Sequence, residues 1–188
     1  MSELNIDQEL RTLTTMASSL TPYLYGDEVY GNLGKQFPQL TVGAILMRLY
    51  RLETIADDLT PSQQNSLNEA DQQLETARYE WQTHYKEKIH REINARLNTI
   101  SWFLDDCADS PAGCTSGWPS AAEKRTIVAH LVDEAQNLDV YDLELRAQVS
   151  DLDTRLRGFY KKGPFIWDER LQQAYSPSEF WWLYSQTN

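Results

Sequence analysis

Along this chain, stretches whose apolar residues recur every three or four positions alternate with short segments rich in glycine, proline and aromatic rings. The longest periodic stretch opens at "TPSQ". Thr60 is placed as the N-cap, Pro61 takes the first helical position, and Gln63 completes a capping box. Leu67, Leu74, Trp81, Tyr85, Ile89, Ile93, Leu97, Ile100 and Leu104 follow at helical spacing, with neither Gly nor Pro between Ser62 and Ser110. Glu87, Arg91, Asn94, Asn98, Ser101 and Asp105 fall on the opposite, solvated face. The pattern predicts one very long helix over about 61–105, a rod of roughly 65–70 Å at about 1.5 Å per residue. Such a helix needs antiparallel partners or a second subunit along much of its length.

A second periodic stretch supplies one. Val128, Leu131, Ala135 and Leu138 run in phase into Leu145, Val149, Leu152, Leu156 and Phe159. A break is expected near "NLDVYDLE", with Asp139 capping a new helix and Asp142 in its first turn; one continuous helix is the alternative. Upstream, residues 3–20 read as an amphipathic helix and 41–58 as the most buried one, joined by a glycine- and aromatic-rich loop over 22–40. A cysteine-containing loop is expected over 106–119. The tail over 160–188 is expected to hold two short helices, the second starting at Ser176-Pro177-Ser178-Glu179, and to pack its aromatic cluster on the bundle. The fold class is therefore all-α: a single domain, built as an elongated antiparallel helical bundle with an aromatic C-terminal tail.

Charge narrows the roles open to such a bundle. Twenty-eight acidic against 17 basic residues give a net charge of −11, spread along the chain, which repels a phosphate backbone and argues against nucleic-acid binding. The N-terminal "MSELNIDQEL" has no secretory pattern, and the longest apolar run, "VGAILM", is far too short for a bilayer. The expectation is a cytoplasmic protein with no membrane partner. Cys107 and Cys114, in "CADSPAGC", either close a small loop or remain as two thiols; they lack the paired Cys-x-x-Cys of a zinc site.

Candidate chemistry is sparse. "DDCAD" places Asp105, Asp106 and Asp109 in a D-D-x-x-D pattern that resembles the aspartate-rich motif of isoprenoid synthases. In that all-α family, carboxylates at a helix end hold Mg²⁺ ions that bind a diphosphate. The resemblance covers five residues, and no second aspartate-rich motif accompanies it. Glu87-x-x-His90 has the spacing of two ligands in a di-iron bundle, but no second copy exists. Gly26, Gly31, Gly34 and Lys35 do not form a phosphate loop, because Asn32 stands where its lysine belongs.

Charges fall inside apolar stripes at Arg78, Glu92 and Arg96 on the long helix and at Glu53 on the preceding one. They read as structural ion pairs or as a polar ligand pocket. Trp181 and Trp182, adjacent in "FWWLY", cannot share one helix face, so at least one is expected to reach past the core, to the tyrosine-rich 22–37 loop or to an interface with another subunit. No catalytic constellation and no cofactor emerge. The function expected is a non-enzymatic interaction or assembly module whose partner is another protein or a second copy. The alternatives are a Mg²⁺-dependent enzyme at the aspartates and a ligand-binding bundle at Glu92 and Arg96.

Overall fold

The computed structural model describes residues 4–186. The chain is all-α. Its helices are α1 (Ile6–Ser18), α2 (Leu20–Tyr25), α3 (Val42–Thr54), α4 (Pro61–Glu80), α5 (Gln82–Asp109), α6 (Pro111–Asn137) and α7 (Leu143–Phe159). Among the described residues the only sheet pairs β1 (Lys162–Phe165) antiparallel with β2 (Tyr184–Ser185). The chain divides into two compact units, Leu4–Glu92 and Ile93 onward, and α5 contributes residues to both.

In the first unit, α1 packs against α3 and α4. Leu10, Leu13 and Met16 of α1, Ile45, Met47 and Leu52 of α3, and Leu67 and Leu74 of α4 are buried. Burying each such side chain contributes about 1.5–3 kcal/mol before entropy is charged against it. The capping box at Thr60 forms as the sequence predicts: Thr60 Oγ1 accepts from Gln63 N at 3.3 Å, and Gln63 Oε1 accepts from Thr60 N at 2.8 Å.

The helix expected over 61–105 is divided at Trp81, whose backbone (φ −118°, ψ 34°) leaves the helical region. The hydrogen bonds on either side persist: Trp81 N donates to Ala77 O and Tyr85 N to Trp81 O, each at 2.9 Å. The departure is thus a one-residue kink. Its indole packs against Tyr25, with ring centroids 4.4 Å apart, at the end of α2. Neither Pro nor Gly marks the spot, so local sequence carries no sign of it.

The stretch between α2 and α3 is tied down at several points. Gly31 and Leu40 exchange backbone hydrogen bonds of 2.8 Å. Lys88 of α5 donates to the carbonyls of Gly26 (2.8 Å) and Glu28 and lies over the Tyr23 ring. Arg91 donates to the Asp27 carbonyl.

In the second unit, the Ile93–Asp109 part of α5 combines with α6 and α7. The apolar positions read from the sequence are its core: Ile93, Ile100, Leu104, Val128, Leu131, Ala135, Leu145, Leu152 and Leu156 are buried. Arg125 of α6 makes a bidentate pair with Asp153 of α7 at 2.6 and 2.8 Å, the geometry that suits a guanidinium best.

Two junctions differ from expectation. Over 106–119 the chain is helical on both sides of Ser110, whose Oγ accepts from Gly113 N at 3.2 Å and caps α6. Pro111, Gly113, Gly117 and Pro119 read locally as a loop, yet packing overrides them. A Cβ on Gly117 would lie 2.7 Å from the Phe103 ring, so glycine is what lets α5 and α6 approach there. Cys107 and Cys114 are joined in a disulfide across this corner. Closing so short a loop removes about 2.5 kcal/mol of unfolded-state entropy in the chain-entropy account.

The second junction resolves the 120–160 stretch into two helices. Asp139, expected to cap α7, instead ends α6 with φ 56°. Val140 N donates to Ala135 O at 2.8 Å and Asp139 N to Gln136 O at 3.1 Å, the paired bonds of a Schellman motif. The cap of α7 is Asp142, whose Oδ1 accepts from Leu145 N at 2.8 Å.

The tail is less helical than its sequence suggests. In place of two short helices it has 3₁₀ turns at Glu169–Leu171 and Trp181–Leu183, between and beside the two strands. At Gly163 a Cβ would sit 2.5 Å from the Gln186 nitrogen, so β1 can pass this close to the end of β2 only as glycine. Among the described residues no helix is long and apolar enough to cross a membrane.

Candidate functional site

The charged residues singled out in the apolar stripes have separate surroundings. Glu92 is fully buried (0 % exposed), and its Oε2 accepts from Gly43 N at 2.9 Å, in the first turn of α3. Thr41 Oγ1 accepts from Ala44 N at 3.1 Å at the same helix start. A carboxylate here meets exposed amide groups and the positive end of the helix, so Glu92 acts as a long-range N-terminal cap. Arg96 is buried in the second unit. Arg78 pairs with Glu75 one turn away at 3.0 Å. Partial burial, and then Asp71, hold the Glu53 carboxyl above its ordinary value.

The aspartates lie elsewhere on α5. Asp105 Oδ1 takes a 2.7 Å hydrogen bond from Arg155 of α7, which also donates to the Ser101 hydroxyl. Asp106 and Asp109 are exposed. Glu87 and His90 are exposed in the first unit. Among the described residues, no three His, Cys, Asp or Glu groups gather closely enough to hold a metal ion.

What the aspartates do share is a face. Asn98, Trp102, Asp105, Asp106 and Asp109 follow one another at i, i+4, i+7, i+8 and i+11, and all five are exposed. Trp102 stands out, with 68 % of its surface in water. The other indole-bearing positions of this unit that line its core, Trp118, Trp181 and Trp182, are buried. Sequence periodicity places Trp102 off the apolar stripe, and that was the signal available for it; a large aromatic on a solvated helix face is the anomaly.

Trp181 and Trp182 are both buried, 7 % and 3 % exposed, rather than one facing outward. A 3₁₀ turn running into a strand directs their rings differently from an α-helix, and each finds its own pocket. Trp182 Nε1 donates to Thr126 Oγ1 at 2.9 Å, and Arg125 lies 4.2 Å over its ring. Trp181 packs edge-on to Tyr160 at 5.0 Å under Arg157. The tail continues into a buried pair with no signal in local sequence: His130 Nε2 lies 3.2 Å from Tyr175 Oη, with the rings at 84°. Beside them burial, and then the Glu179 carboxylate, raise Asp133 from its ordinary value, opposed by Arg125.

One cavity of about 350 Å³ opens at the α5–α6 corner, lined by the disulfide together with Trp118, Gly158, Tyr160 and Lys161. No protein-family model, no curated protein and no solved structure matches this chain.

Proposed function

We propose that the protein is a non-enzymatic interaction module that uses the outward face of α5 to bind a protein segment carrying apolar and basic side chains. The observation that carries this reading is Trp102, two-thirds exposed among Asn98, Asp105, Asp106 and Asp109. A tryptophan buried on binding is a typical energetic anchor, and a rim of carboxylates selects a partner of opposite charge. A second copy of the chain is the weaker partner, because two molecules of net charge −11 repel.

The test uses amphipathic helical peptides matched in apolar content and graded from basic to acidic. Basic peptides should bind, and Trp102→Ala should weaken them tenfold or more, as an anchor of about 2 kcal/mol does, without lowering the melting temperature. Binding that ignores peptide charge, or survives Trp102→Ala, overturns the reading. A cytoplasmic location is part of the same proposal. It sits with the Cys107–Cys114 disulfide only if that bond is one that thiols can reach, since reducing compartments do not keep ordinary structural disulfides supplied.

A further inference from the structure

The disulfide is shielded from bulk solvent, with Cys107 3 % and Cys114 8 % exposed, yet both cysteines line the cavity at the corner. The cavity walls are fixed. Trp118 Nε1 donates to the Trp182 carbonyl at 2.9 Å and Tyr160 Oη to the Tyr184 carbonyl at 2.8 Å, while the Lys161 carbonyl accepts from Gln186 N at 2.9 Å. Among the described residues lining the space, Lys161 is the only charged one. Gly158, on α7, leaves its wall open: among the described residues, no atom outside its own stretch of helix lies within 4 Å of where its Cβ would be.

The two sulfurs are electrostatically unlike. Cys114 lies in the first turns of α6, where the helix end stabilises negative charge. Cys107 lies in the last turn of α5 beside Asp105, Asp106 and Asp109, surroundings that disfavour another anion. We propose that this cavity is a port for low-molecular-weight thiols bearing a carboxylate, and that Cys107–Cys114 is a thiol–disulfide exchange site.

The incoming thiolate attacks Cys107 Sγ, the Cys107–Cys114 bond breaks, and Cys114 leaves as the better-stabilised thiolate and is protonated from water. A second thiolate attacks the sulfur of the bound thiol, releasing the small disulfide and the Cys107 thiolate. Two electrons pass from two thiols to the protein. The body of the thiol rests against the wall made by Trp118 and Tyr160, which pack on one another with ring centroids 6.1 Å apart, and its carboxylate meets Lys161.

The oxidised full chain is mixed with mercaptoacetate or with neutral mercaptoethanol at 0.15 M salt, quenched in acid and weighed by mass spectrometry. The first adduct should sit on Cys107. Gly158→Phe should slow both thiols about tenfold while leaving the fold intact, since glycine is a poor residue in a helix. Lys161→Glu, an exposed change that spares the core, should lower the mercaptoacetate-to-mercaptoethanol rate ratio about tenfold. An unmoved ratio in Lys161→Glu, or a Gly158→Phe protein that exchanges at the wild-type rate, would show that thiols reach the bridge by another route and overturns the proposal. So does a first adduct on Cys114.

Discussion

Asp139 holds φ 56°, a conformation that disfavours side chains with a Cβ, and it puts a carboxylate at the negative end of α6. Asp139→Gly removes both penalties and should stabilise the protein by about 1 kcal/mol, after allowance for glycine's freedom in the unfolded chain. Asp139→Val should destabilise it. Urea titration of the two variants checks the sign, and a glycine variant weaker than wild type would mean the aspartate side chain makes a contact that matters. This position also marks where residue-level reading stops. Asp139 and Asp142 are both plausible caps by local pattern, and which one serves depends on where α6 ends. Glu92 poses the same difficulty at longer range: its place in an apolar stripe is visible in sequence, but the Gly43 amide that makes a buried carboxylate tolerable is 49 positions away.

Among the elements, the tail offers the sharpest contrast. Trp182 has a buried hydrogen bond to Thr126 and a stacked guanidinium, whereas Trp181 has ring contacts and Arg157. Truncating either should cost about 3–5 kcal/mol. Trp182→Ala should cost about 1 kcal/mol more, because Thr126 is left buried with a lost donor. Equal losses on chemical denaturation would mean that this hydrogen bond contributes nothing. Apolar periodicity located the helices and their buried faces because burial is decided by spacing on one helix. It did not locate the Trp81 kink or the helical 106–119 corner, because these answer to Tyr25 and Phe103, contacts between elements. Nor did it separate a 3₁₀ turn from an α-helix at Trp181–Leu183.

At the scale of the molecule, burial biases several ionisations in one direction. Asp133 and Glu53 are raised above their ordinary values of 3.8 and 4.5, so the folded state holds these protons more tightly than the unfolded one. Stability from these groups therefore increases as pH falls through the raised values, and is lost as pH rises through them. Tyr141, Tyr160 and Tyr184 are raised from 10.0, chiefly by burial, and contribute stability that declines once pH passes 10. Lys88 and Lys124, lowered by burial, pull the other way below 10.5. Asp133→Asn isolates one of these effects. It should stabilise the protein at pH values above the raised one, where wild-type Asp133 is charged beside Glu179, and lose that advantage as pH falls below the ordinary 3.8, where both versions are neutral at this site. An advantage independent of pH would place its origin outside ionisation. That Asp133 faces Glu179 from the tail was not legible in sequence, since only the folded chain brings residues 133 and 179 together.

The corner disulfide closes a ring of eight residues and nothing larger. It ties no distant segments together, so a peptide bond cut anywhere outside that ring leaves two pieces with no covalent link between them. Arg96 and Lys124 are the nearest tryptic sites on either side, and both cysteines fall within the single peptide 97–124. Bridge and broken bridge therefore migrate alike as fragments, and the oxidation state is written only in a mass difference of two hydrogens or in the tags an alkylating reagent leaves.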